Sequence, residues 1–128
     1  MIYVMHPSAV MKHWSEVSRA LEPAFEHSEQ EAAADHLPLL LRDQEQLWHI
    51  HGRAWAITRV TEGKRGRCFV FAALAGEGMP EWLAEFVPLA EDWARERGCT
   101  RALVYGRRGW SRVLPAYELT HVTLSREL

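Results

Sequence analysis

Several things are scarce in this chain of 128 residues, and each scarcity excludes something. There are two cysteines, Cys68 and Cys99, too few and too far apart for a zinc site or a disulfide framework. No apolar run approaches the ~20 residues that a membrane-spanning helix needs. The N-terminus lacks the basic flank and long apolar core of a signal peptide, so the expected setting is a cell interior or a particle made there. There is no excess of basic residues. The net charge is −2, which speaks against a general nucleic-acid binder. No internal repeat, low-complexity tract or linker interrupts the chain, so one domain is expected.

What is present is an ordinary globular balance, 48% hydrophobic and 25% charged, with six tryptophans. The stretch from Arg67 to Gly98 organises the rest. Cys68 to Ala75 is nearly continuously apolar, as in a strand covered on both faces. Gly76-Glu77-Gly78 follows, then Met79-Pro80 and an amphipathic helix that Gly98 closes. Two glycines allow a tight turn with exposed N–H groups, and a helix N-terminus behind them favours an anion.

The flanking elements read in order. Met1 to Met5 is a strand. Val10, Trp14, Val17 and Leu21 mark a helix, with Ser8 as its cap and Pro23 near its end. Ser28 and Glu31 suggest a capping box for a second helix that falters at Pro38. Leu47–His51 and Trp55–Val60 are strands, and Glu62–Gly66 is a hairpin loop. Trp82, Phe86, Leu89, Ala90, Trp93 and Ala94 face the core from the next helix, which Pro88 should kink. Thr100–Tyr105 is a strand, 107–116 a short helix or turn, and Thr120–Leu124 a last strand. The predicted order is β-α-α-β-β-β-α-β-α-β, an α/β domain with a mixed sheet.

With Ala73-Leu74-Ala75-Gly76-Glu77-Gly78 at the central strand–helix junction, that order resembles the GNAT superfamily of N-acetyltransferases over essentially the whole chain. The resemblance implies a Gln/Arg-x-x-Gly-x-Gly/Ala signature whose backbone amides hold the pyrophosphate of acetyl-CoA. Gly76 and Gly78 match it; Ala73 stands where Gln or Arg is expected, and Glu77 puts a carboxylate between the glycines. The implied cofactor contacts are Phe71, Ala72 and Ala73 for the pantetheine arm and Ala75, Gly76, Glu77, Gly78 and Met79 for the pyrophosphate. A tyrosine that protonates the thiolate is also implied. If Tyr117-Glu118-Leu119 is the matching region, Leu114 occupies its place, leaving Tyr117 and Tyr105 as substitutes. His49 and His51, two apart on one strand face, and Glu62 in the hairpin are candidate bases. No third ligand accompanies the two histidines, so no metal is expected.

Gly106-Arg107-Arg108-Gly109-Trp110-Ser111-Arg112, together with Ala90–Cys99, looks like a group of small phage-encoded GNAT-like proteins, some of them internal virion proteins of short-tailed phages. Two functions follow. The preferred one is a catalytically degenerate GNAT-like module of the host cytoplasm or a virion. It would bind protein or itself through Arg107, Arg108, Trp110 and Arg112, with no cofactor, membrane or nucleic acid. The alternative is an acetyl-CoA-dependent N-acetyltransferase acting on an amine. Trp14, Trp82 and Trp93 are expected in the core, and Trp48, Trp55 and Trp110 nearer a surface.

Overall fold

A computed structural model describes residues 1–26, 31–105, 110–120 and 124–128. Five strands form one sheet in sequence order: β1 (Ile2–Val4), β2 (Gln46–Ile50), β3 (Ala54–Gly63), β4 (Gly66–Gly76) and β5 (Cys99–Val104). The first four are antiparallel neighbours, and β5 lies parallel to β4. Helices α1 (Pro7–Phe25) and α2 (Ala33–Leu41) precede β2; α3 (Met79–Glu96) makes the crossover to β5, and a short α4 (Trp110–Val113) follows.

Residue alternation divides the core between the two sheet faces. Leu47, Trp55, Ile57, Ala73 and Ala75 meet Val10, Val17, Leu21 and Phe25 of α1 and Ala33 and Leu40 of α2. Trp48, Ile50, Ala56, Phe69, Phe71 and Leu74 meet Trp82, Leu83, Phe86, Val87, Ala90 and Ala94 of α3. The central strand is therefore covered on both sides, as its unbroken apolar run requires. One buried polar chain crosses the sheet: Trp48 Nε1 donates to Thr58 Oγ1 at 2.8 Å, and that hydroxyl donates to Gln46 Oε1 at 2.9 Å. Burying an indole N–H without a partner would cost ~1–3 kcal/mol, and this chain avoids it.

Several expectations need correction. Trp48 and Trp55 are in the core, at 1% and 2% exposure, because each alternates onto a helix-covered face rather than an edge. Leu89 is exposed, one step off the apolar stripe. The N-cap of α1 is His6, whose Nδ1 accepts from the Ser8 N–H at 3.2 Å, and Ser8 is already inside the helix. Neither α1 nor α3 ends at its proline. α1 runs two residues past Pro23, and α3 is continuous through Pro88. Pro88 and Ala84 are both exposed, so the carbonyl that lacks its N–H partner can turn to water. Ser28 lies outside the described residues, and the box at α2 is closed by Asp35, which accepts from the Ala32 N–H at 2.9 Å. Of the last expected strand, residues 121–123 lie outside the described residues, while Thr120 and Leu124 belong to no strand.

Gly76 and Gly78 are glycines for different reasons. Gly76, at φ +145°, faces Ala54 across the β3–β4 ladder, where a Cβ would stand 2.5 Å from the Ala54 Cβ. Gly78, at φ +72°, is the left-handed N-cap of α3, and a Cβ there would meet only the Arg53 guanidinium, at 3.5 Å or more. Gly76→Ala should therefore destabilise by about 3 kcal/mol or more, combining strain with a backbone clash. Gly78→Ala should cost only the ~1–2 kcal/mol of a left-handed alanine. Urea denaturation of the two variants checks the order.

Candidate functional site

The site begins as an interruption in β4. Ile57 pairs with Ala73 but Thr58 pairs with Phe71, so Ala72 is an extra residue, a β-bulge. On the other side, the parallel ladder with β5 ends at Phe71 and Val104. β4 continues for five more residues with β3 alone. Among the described residues, no strand takes up the β5-facing N–H and C=O groups beyond Phe71. β4 thus outruns β5, and a slot opens beside its last residues.

A cleft of 870 Å³ occupies the slot. Its floor is the 71–77 backbone and Met79, and Val104, Tyr105 and Trp110 form the far wall. Arg19, Ala20, Pro23 and Ala24 of α1 close one side, and Arg53 from the β2–β3 turn stands at one end. Beyond Gly76 the chain passes into the left-handed Gly78 and the first turn of α3, where Trp82 Nε1 donates to the Glu77 carbonyl at 3.1 Å and holds the loop. An 18-residue helix thus starts at the cleft; Pro80 brings no N–H and the Glu81 N–H donates to the Gly78 carbonyl at 3.0 Å, so the donors facing outward at this end come from the turn up to Met79. Ionisable side chains in the described lining are Arg19, Arg53, Glu77 and Tyr105.

Every residue named for cofactor contact except Gly78 lines this cleft, and Gly78 adjoins it as the cap of α3. Of the five residues named for proton transfer, Tyr105 lines it; His49, His51, Glu62 and Tyr117 do not. His49 and His51 are separated instead of sharing a strand face. β2 ends at Ile50, and His51 takes a left-handed turn conformation at φ +52°. His51 Nε2 pairs with Glu85 of α3 at 2.7 Å. His49 lies on the α1 face, stacked on Trp55 with centroids 3.9 Å apart, and its Nδ1 meets the Tyr3 hydroxyl at 3.1 Å. Glu62 is paired with Arg67 at 2.7 Å beside the β3–β4 hairpin, nine residues along β4 from Gly76, or roughly 30 Å at strand rise. Tyr117 donates to Glu91 at 2.7 Å; burial first, and then that bond to a carboxylate, push its phenol well above the ordinary range and keep it protonated. Of the expected partner surface, Trp110 lines the cleft and Arg112 is exposed on α4, while Arg107 and Arg108 lie outside the described residues.

Arg19 and Arg53 went unassigned in the sequence, where each is one arginine among many. Arg53 follows the turn glycine Gly52, and only the pairing of Ala54 with Gly76 brings it to the α3 N-terminus. Tyr105 was noticed only as a substitute. Its place at the end of β5, where the strands part, makes it the tyrosine of the cleft.

No family model matches the sequence, and no curated protein matches it. The fold has many solved counterparts. An aminoglycoside acetyltransferase from an uncultured soil metagenomic sample, in complex with sisomicin, superposes with a TM-score of 0.71 at 14% identity, over 100% of this chain and 95% of that one. A GCN5-related N-acetyltransferase from Ralstonia eutropha gives 0.68 at 15% identity, over 100% and 97%. A predicted acetyltransferase with acetyl-CoA from Clostridium acetobutylicum gives 0.68 at 12% identity, over 100% and 94%. At these identities the likeness establishes the fold: a mixed α/β domain of the GNAT type, over its whole length.

The buried setting of His49 has a pH consequence. Desolvation, its largest influence, lowers the imidazole below its usual 6.5, and its Nε2 is buried with no partner among the described residues. The unfolded chain then takes up a proton more readily than the folded one. His49 contributes stability that is complete above about pH 6.5 and is lost as pH falls below it. The urea midpoint should fall between pH 7 and 5, and His49→Phe should flatten part of that slope. An unchanged slope would remove His49 from the account.

Proposed function

We propose that the cleft binds acetyl-CoA or a related acyl-CoA and that the protein transfers the acyl group to an amine. The observation that carries this reading is the end of the β4–β5 ladder at Phe71, five residues before a glycine turn and a helix N-terminus. A ligand with an amide-bearing arm and a pyrophosphate needs unpaired strand backbone for the one and convergent N–H groups for the other. The residues present fit that ligand. The edge of Phe71–Ala73 would pair with the pantetheine amides, and the N–H groups from Ala75 to Met79 would take the pyrophosphate. The close approach of Ala54 keeps position 76 itself free of a side chain. When bound, acetyl-CoA would supply an activated acyl thioester.

This chain's own contribution would be positioning and polarisation. N–H groups of β4 beside the bulge at Ala72 would polarise the thioester carbonyl, whose oxygen gains charge in the reaction. Tyr105 offers an O–H on the opposite wall for the departing thiolate. No histidine lines the described cleft, so the amine would arrive as the free base or lose its proton to water. Acceptor amines are the substrate class that this chemistry defines.

The competing reading is a degenerate, protein-binding module of the phage type. Ala73 supports it, since it carries no polar group for the loop, as does Leu114, buried at the position where a tyrosine was sought. The acyl-CoA reading is preferred because the cleft retains an unpaired strand edge, an open helix terminus, two arginines and a tyrosine.

Thermal melting with acetyl-CoA separates the two. Ligand at 100 times its Kd adds about 2.7 kcal/mol, a rise of several degrees at this size. Gly78→Trp should remove the rise while the protein still melts cooperatively. No rise in the wild type would favour the binding module. Where acetyl transfer is seen, Tyr105→Phe should lower kcat by roughly 10²-fold with the Kd for acetyl-CoA unchanged.

A further inference from the structure

The entrance to α3 carries an electrostatic conflict. Glu77 is exposed in the turn, and Glu81 sits one turn into the helix. Both complement the positive helix end, and both would repel a phosphate brought to the same N–H groups. Both repulsions are screened by solvent and grow as the salt concentration falls. A polyanion can be held here only if a cation offsets these acids.

Arg53 is placed to do so. Its guanidinium lies against Gly78, 3.5–3.6 Å from where a Cβ would be, and it lines the same cleft. Its turn is pinned from two sides. The Arg53 N–H donates to the Ile50 carbonyl at 3.1 Å, and His51 is tied to Glu85 of α3 at 2.7 Å. Its partner in the structure is Glu81, and that pair is weak: Nη2 to Oε2 is 3.5 Å, with the side chains 50% and 79% exposed. A solvent-exposed pair of this length contributes little. A phosphate in the turn would offer a short, charge-assisted and potentially bidentate partner in its place.

Building on the acyl-CoA reading, we propose that Arg53 recognises the CoA pyrophosphate and that Glu81 is its resting counter-ion, exchanged for phosphate on binding. The cation comes from the β2–β3 turn, across the sheet end from the glycine loop it serves. Glu81 tunes affinity by competing for it.

The test uses calorimetric titration with two probes, CoA and pantetheine, which shares the thiol arm and has no phosphate. Wild type, Arg53→Met, Glu81→Gln and Gly78→Trp are compared. Arg53→Met should weaken CoA roughly 10- to 100-fold, as expected for one lost charge-assisted contact. It should leave pantetheine affinity and the melting temperature unchanged, and it should reduce the salt dependence of CoA binding. Glu81→Gln should tighten CoA a few-fold. If Arg53→Met binds CoA like the wild type while Gly78→Trp does not bind it, the role of Arg53 is overturned and the cleft reading stands. Equal loss of CoA and pantetheine in Arg53→Met would overturn it too, by marking a structural part for the side chain. If the wild type binds neither probe, both fall.

Discussion

The hydrogen-bond ladder between β4 and β5 stops at Phe71 and Val104, and the arrangement of the cleft follows from that stop. A parallel pair held to its full length would seal the sheet and leave nothing to bind. The extra residue at Ala72 accompanies the break, since a bulge adds local twist and turns the strand away from its neighbour. Having lost one partner, β4 depends on β3 and on the helices for its outer half. That explains why Ala73 and Ala75 are small and sealed under α1, while Phe71 and Leu74 are sealed against the α3 side. The cleft therefore sits over a floor packed on both faces.

Charge is distributed around that floor in an unusual way. The turn that would receive a polyanion brings its own acids, Glu77 and Glu81, and draws its nearest cation from a different part of the chain. The His51–Glu85 contact at 2.7 Å ties the β2–β3 turn to α3, and the looser Arg53–Glu81 pair lies on the same side of the helix. The tip of one hairpin and the start of one helix thus form a single electrostatic unit, although they are far apart in sequence.

The fold was largely legible in the sequence, because periodicity and glycine placement carry it. The apolar run from Cys68 to Ala75 read correctly as a central strand, and Val10, Val17 and Leu21 as a helix face. Trp82 and Trp93 read correctly as core-facing, but Trp48 and Trp55 did not read as core. These two lie in strands whose two faces are both covered, a fact that only the tertiary layering reveals. The site was legible where it is backbone and illegible where it is side chain. Gly76 and Gly78 announce a turn by their identity. Arg53 acquires its place from strand register, and Tyr105 from the point where two strands separate. The two histidines appeared paired because a spacing of two implies one strand face. The positive φ of His51 ends that alternation after Ile50.

The most direct test of the central claim is amide hydrogen exchange across residues 71–79, with and without acetyl-CoA. If the unpaired edge of β4 and the glycine turn hold the ligand, the amides of residues 72–79 that do not donate to β3 should exchange quickly in the free protein and slow markedly when it is bound. The outer strands β1 and β2 should be unaffected. Protection already complete without ligand, or protection on adding ligand confined to other elements, would contradict the account.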